Sequence, residues 1–306
     1  MRAAAAACGT RLQVPGKAYV TMQTRRIGSA QVSAIGLGGM PMSIEGRPDQ
    51  ARSIATIHAA LDAGVTLIDT ADAYHVGADE VGHNETLIAK ALSTHSAGSE
   101  VLVATKGGHL RPGDGTWTVN GSPEHIKRAC ELSLTRLGVE AIGLYQFHRP
   151  DPQVPYADSI GALADLLDAG KIQMAGISNA NPDQIRLAHK ILGGRLASVQ
   201  NQYSPAFPSS RPELDLCTEL GIAFLPWSPL GGISNARRLG LRHLPFTTVA
   251  QTYGVSPQRV CLAWMLATSP VVIPIPGSSR PATAVDSAAA ADLILTPEEF
   301  ARLDAI

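Results

Sequence analysis

The sequence predicts an α/β fold of one domain, a (β/α)8 TIM barrel. Three observations carry that prediction. Helical stretches end in glycine, a short β-branched or apolar run follows each glycine at once, and eight such runs can be counted along the 306 residues. The rhythm shows in AALDAG–VTLID (59–69), LTRLG–VEAIGLYQF (134–147), LLDAG–KIQMAGIS (166–178) and CTELG–IAFLPW (217–227). A glycine after a helix accepts the left-handed conformation that ends it. The run beyond is too short for a helix and has the apolar character of a strand covered on both faces.

Taken in order, the strands centre on Ile35, Leu67, Val103, Leu144, Ala175, Val199, Phe224 and Val272. The joints into the helices carry their own chemistry. Ser122-Pro123-Glu124, Asn181-Pro182-Asp183 and Ser256-Pro257 set an N-cap residue before a proline at the first helical position, and Thr296-Pro297-Glu298-Glu299 is a capping box. An open doubly wound sheet is the alternative. It is weakened because Gly36-Leu37-Gly38-Gly39-Met40-Pro41 lacks the last glycine of the dinucleotide fingerprint. Residues 22–306 are expected to form the barrel and residues 1–21 a flexible N-terminal extension. That extension is Ala-rich and carries Arg2, Arg11 and Lys17. It reads either as an organellar transit segment or as a loose stretch ahead of a second candidate start at Met22.

Composition narrows the function classes. The formal net charge is −1 and no long charged block occurs, so the electrostatic footprint of a nucleic-acid or membrane-surface binder is missing. No apolar run approaches the roughly 18 residues that span a bilayer. Cys8, Cys130, Cys217 and Cys261 lie far apart without metal-site spacing, so no metal is expected and the pattern fits a reducing, cytoplasmic compartment. A monomer or weak homo-oligomer acting on a small molecule is the expected state.

In a closed barrel the C-terminal strand ends converge on one mouth, where active sites sit. VTLID ends in Asp69, with Tyr74 five residues on in DTADAY; VLVAT runs into Lys106, and LYQF into His148. The fifth strand ends in Ser178-Asn179, the sixth in Gln200, and the seventh leads to Trp227. A phenol has a pKa of about 10, too high for an efficient acid at neutral pH. A lysine ammonium beside it is expected to lower that value, with Asp69 holding Lys106 charged and His148 orienting a substrate oxygen. Such a set can give a proton to an oxygen that gains negative charge. Acyl transfer fits poorly because there is no G-x-S-x-G elbow. A hydrolase with paired carboxylates fits poorly because only Asp69 is an obvious acid at a strand end.

These segments resemble the aldo-keto reductases. The matching stretches are GVTLIDTADAYHVGADEVGHNE (64–85), VLVATKGG (101–108), LYQFHRPDP (144–152), GKIQMAGISN (170–179), VQNQYSP (199–205), PWSPLGG (226–232) and VIPIPGSS (272–279), in order along nearly the whole chain from Met22. The resemblance implies a catalytic tetrad of Asp69, Tyr74, Lys106 and His148, and NADP(H) bound in extended form at the mouth. It implies that Ser178, Asn179 and Gln200 hold the nicotinamide carboxamide and that Trp227 stacks on the ring. Ser228, Leu230 and Gly231 would lie along the pyrophosphate. Gly277, Ser278, Ser279, Arg280 and Asp286 would surround the adenosine end. The chain departs from the family at Thr283, where a further basic residue is common, and at Asp286-Ser287, where Glu-Asn is usual.

The reaction implied is reduction of aldehydes or ketones, with Tyr74 and His148 meeting the substrate. Trp117, in the Gly-rich stretch 108–124, could roof it. The alternative is a nucleotide-sensing binding protein of the same fold, like the potassium-channel beta subunits. The C-terminal half is also similar to bacterial pyridoxal reductases, a likeness spread over the fold that names no substrate.

Overall fold

The computed structural model describes residues 22–305; the extension expected over 1–21 lies outside the described residues. Seven parallel strands follow one another in sequence order around a curled sheet: Leu37–Gly38, Leu67–Asp69, Leu102–Gly107, Ile142–Phe147, Ile172–Ser178, Leu196–Gln200 and Ala223–Phe224. Helices return the chain between them, from Gln50–Asp62 after the first strand to Pro257–Thr268 after the seventh. Three further helices, Ile233–Ala236, Leu239–Arg242 and Leu244–Tyr253, lengthen the connection that leaves the seventh strand.

The eighth position differs from the expected regular strand. Val272 bridges Phe224 and Gly277 bridges Gly38, both in parallel sense, so segment 271–277 lies between the seventh and first strands and closes the barrel. Pro274 and Pro276 carry no N–H, which prevents a continuous ladder there. Their carbonyls still accept from the N–H of Gly36 (2.9 Å) and Gly38 (3.0 Å). The seam is close enough that a Cβ at Gly38 would stand 2.8 Å from the Ile275 carbonyl oxygen. Ile35, the expected centre of the first strand, is buried just ahead of the two residues that pair.

The expected caps are in place because they depend only on neighbouring atoms. Ser122, Asn181, Ser256 and Thr296 each accept the backbone N–H three residues on, and Asn181 and Thr296 complete capping boxes with Gln184 and Glu299. The helices over Pro123–Leu137 and Arg211–Leu220 end on left-handed Gly138 and Gly221.

A hairpin of Thr24–Ile27 and Ala30–Ser33 precedes the barrel. Its Ile27 and Val32 pack with the barrel-interior residues Leu67, Ala104, Leu144, Met174 and Ile273. Reciprocal bonds between Ser33 and Thr66, 2.8 and 2.9 Å, tie the hairpin to the start of the second strand. The hairpin thus covers the apolar interior at the N-terminal ends of the strands, and the opposite mouth is open. Among the described residues no helix is long and apolar enough to cross a membrane.

Candidate active site

Three strand ends bring polar and ionisable groups together at the open mouth. Asp69 closes the second strand, Lys106 lies near the end of the third, and His148 follows the fourth. Tyr74 stands in the turn after Asp69, its backbone N–H bonded to the Ala71 carbonyl. The Lys106 ammonium has three partners: Asp69 Oδ2 at 2.7 Å, the Thr70 carbonyl at 2.9 Å and Tyr74 Oη at 3.2 Å. Its side chain is fully buried, and that of Asp69 is 4% exposed. The Tyr74 and His148 rings meet edge to face with centroids 5.8 Å apart.

Burial decides the protonation states. It alone would lower the Lys106 pKa, but the Asp69 carboxylate and Tyr74 outweigh it and hold the ammonium above its ordinary value. Tyr74 was expected below the usual phenol range, and the structure reverses that expectation. Burial raises its pKa, the Lys106 charge pulls back only part of the way, and Asp69 adds to the rise. The phenol therefore stays protonated through neutral pH. His148 is driven well below its ordinary value by burial, with Lys106, His109 and Arg149 pushing the same way, so its imidazole is neutral at pH 7. Its Nδ1 is buried without a partner.

Above these groups opens a cavity of about 770 Å³. Asp69, Tyr74 and His148 reach its wall, as do Ser178, Asn179, Gln200, Trp227, Ser228, Leu230, Gly277 and Trp117. Lys106 lies behind Tyr74 and does not reach the wall, and Gly231, Ser278, Ser279, Arg280 and Asp286 lie outside it. Two of the wall residues, Asn179 (φ 57) and Ser228 (φ 50), take left-handed backbone without being glycine, a conformation that concentrates at functional sites. Asn179 Nδ2 donates to the His148 carbonyl (3.0 Å) and to Ser178 Oγ (3.0 Å). Gln200 Nε2 donates 2.8 Å to Asp69 Oδ1, so this amide also fixes the acid. Trp227 is half-buried, and its Nε1 is buried without a partner.

Outside the wall, Asp286 is held by Arg259 at 2.6 Å and by Ser256 Oγ at 2.5 Å. Ser278 Oγ is shared with Thr283 and the Arg280 carbonyl. Arg280 is exposed at the N-cap of the helix Pro281–Ala288.

Several residues of the site carried no assignment from sequence. Gln146, within the fourth strand, places Nε2 3.5 Å from Asp69 Oδ1 and accepts from Ser198. It lies two residues before His148, so alternation along the strand turns it into the barrel; an amide in an otherwise apolar run was the available signal. The stretch 108–124 forms a small hairpin, pairing His109 with Val119 and Leu110 with Thr118. It carries His109 to 4.8 Å from the His148 ring, and Trp117 to 4.8 Å from His109. Arg111 stacks over Trp117 at 4.8 Å and bonds the His75 carbonyl and Glu45, tying the hairpin across the mouth. Burial, with help from Arg149 and Lys106, pulls the His109 pKa to about 4.

Known proteins share this arrangement of strands. The model of the aldo/keto reductase family matches residues 34–306. A 6-dehydroglucose reductase of Novosphingobium aromaticivorans is 35% identical over 269 residues, covering 85% of this chain and 86% of that protein. An uncharacterised oxidoreductase of Schizosaccharomyces pombe is 32% identical over 285 residues, 92% of this chain and 89% of that one. An aldo/keto reductase from Klebsiella pneumoniae, solved with NADP and acetate, aligns with a TM-score of 0.77 at 27% identity, over 93% of this chain and 95% of its own. With nearly the whole barrel matched, the chain belongs to the aldo/keto reductase family of oxidoreductases.

Proposed function

We propose that this chain reduces aldehydes or ketones with NADPH, Tyr74 giving its proton to the carbonyl oxygen. The observation that carries the reading is the run Asp69–Lys106–Tyr74, at 2.7 and 3.2 Å, ending in a phenol on the cavity wall beside His148. The cofactor fits the groups present. Ser178, Asn179 and Gln200 offer the donors and acceptors that a carboxamide needs, and Trp227 offers a flat apolar face. NADPH, when bound, supplies the hydride that a carbonyl carbon takes up.

The chain's own groups manage the proton. His148, neutral at pH 7, donates a hydrogen bond to the carbonyl oxygen and turns it toward Tyr74 Oη. As charge grows on that oxygen, the Tyr74 proton crosses to it, and Lys106 Nζ stabilises the phenolate left behind. Asp69, fixed by Gln200 and Gln146, keeps Lys106 charged throughout. The apolar mouth, roofed by Trp117, keeps water from competing for the oxygen.

Tyr74→Phe tests this reading. The ring and its packing stay while the proton donor goes, so NADPH oxidation with an aldehyde panel should fall by about 10²–10⁴-fold. NADPH affinity, read by fluorescence titration, should change little. Near-normal turnover in the variant would overturn the mechanism. Absence of turnover in the parent across the panel would favour a nucleotide-sensing role.

A further inference from the structure

The cavity wall carries three charged side chains, Glu45, Asp69 and Arg149, beside the imidazoles of His109 and His148. Two of the charges are already balanced. Asp69 is paired with Lys106 at 2.7 Å and Glu45 with Arg111. The imidazoles are neutral, pulled down by burial and by the cations near them. Arg149 is the remaining charge. It is exposed to the cavity, and its Nη2 donates 3.3 Å to Asn179 Oδ1; among the described residues it has no carboxylate partner. A cavity otherwise apolar in character thus keeps one uncompensated positive charge on its rim.

That charge stands on the cavity wall beside His148. Arg149 follows His148 directly at the end of the fourth strand, and its field reaches both His148 and His109. The seventh-strand segment at Ser228–Leu230 lies beyond the fifth and sixth strands. We propose that Arg149 anchors an anionic substituent, a carboxylate or a phosphate, on the carbonyl compound that the site reduces. The guanidinium fork matches either group in two parallel hydrogen bonds. This assignment rests on the carbonyl-reductase reading above.

The experiment compares matched pairs of aldehydes at saturating NADPH: 4-carboxybenzaldehyde with its methyl ester, and glyceraldehyde 3-phosphate with glyceraldehyde. In the parent protein the charged member should be favoured in kcat/KM by about tenfold, through KM. That is the low end for a charge-assisted contact, because Arg149 is exposed. The carboxylate and phosphate pairs separate the two sources of the anion. In Arg149→Gln the ratio within the favoured pair should fall toward one, and Arg149→Lys should keep part of it. No preference in either pair overturns the proposal, as does a preference that survives Arg149→Gln. Equal loss on both members of a pair, together with weaker NADPH binding, would mean instead that Arg149 orients Asn179, and also overturns it. If no aldehyde is turned over, the reductase reading fails on its own. Equilibrium titration of 4-carboxybenzaldehyde against its ester, read by tryptophan fluorescence in the parent and Arg149→Gln, then decides the anion site by the same ratio.

Discussion

Replacing Lys106 by Met should uncouple the two tasks of the buried pair. The side chain keeps nearly its volume and loses three bonds, to Asp69, Thr70 and Tyr74. Asp69 is then left charged at 4% exposure, with only the amides of Gln200 and Gln146 to hold it. Stranding one partner of a buried ion pair costs about 3–5 kcal/mol, and the two amides place this case near the lower figure. At roughly 2–4 °C per kcal/mol for a large domain, Tm should drop by about 6–12 °C. Replacing Asp69 by Asn as well removes the stranded charge, so Lys106→Met/Asp69→Asn should regain most of that loss. Activity should follow neither curve: both variants should lose at least about 10²-fold in kcat/KM, since neither has a cation to stabilise the Tyr74 phenolate. Thermal melts followed by circular dichroism, with NADPH oxidation on the same samples, make the measurement. A single variant within about 1 kcal/mol of the parent, or additive losses in the double variant, would refute the coupling.

Three further outcomes concern Asp72, Trp227 and Arg280. Asp72 is buried with Oδ1 unpartnered, and burial, aided by Glu85, lifts its pKa to about 8; its folded state holds the extra proton from about pH 4 to 8, so stability is lost as pH rises through that window at up to about 1.4 kcal/mol per pH unit. The gain from Asp72→Asn in urea titrations should therefore be larger at pH 8 than at pH 5, and equal gains would contradict the assignment. NADPH titration should quench part of the tryptophan emission and Trp227→Leu should abolish that part, with Trp264, which lies outside the cavity wall, as internal control; an undiminished quench would put the ring elsewhere. Arg280 is exposed and makes no ion pair among the described residues, so Arg280→Ala should weaken NADPH about tenfold in kcat/KM and leave NADH unchanged; equal loss for both would show that it does not read the 2′-phosphate.

The legible parts of this molecule are those fixed by neighbouring atoms or by a simple period. The capping residues Ser122, Asn181, Ser256 and Thr296 act within one turn of chain. Asp69, Lys106 and His148 can be placed together from sequence because a parallel barrel brings every strand end to one mouth. The eighth strand was legible as a position but not as a pairing pattern. Val272 was found by its apolar run, while Pro274 and Pro276 reduce the ladder to bridges. Arg111 meets Glu45 across 66 residues of sequence, and His109 reaches His148 only because the Gly-rich stretch folds into a hairpin. Such contacts leave no period to detect.

The one chemical expectation that failed is also the most informative about the site. From sequence, a lysine beside a tyrosine implies a phenol made more acidic. Folding adds the larger effect, since taking the hydroxyl out of water penalises phenolate more than Lys106 repays. The resting phenol therefore keeps its proton, and in the proposed reaction Lys106 would act through its place 3.2 Å from the oxygen as that proton leaves. Catalysis depends on what is stabilised during transfer, so a cation whose pull on the resting phenol is outweighed by burial would still lower the barrier of the proposed step. His148 follows the same logic. Kept neutral by burial and by the cations around it, in the proposed reaction it would donate a hydrogen bond to the carbonyl oxygen and leave the proton to Tyr74. The division of labour proposed for the two groups would be set by their surroundings more than by their side-chain chemistry, and those surroundings form only when the barrel closes.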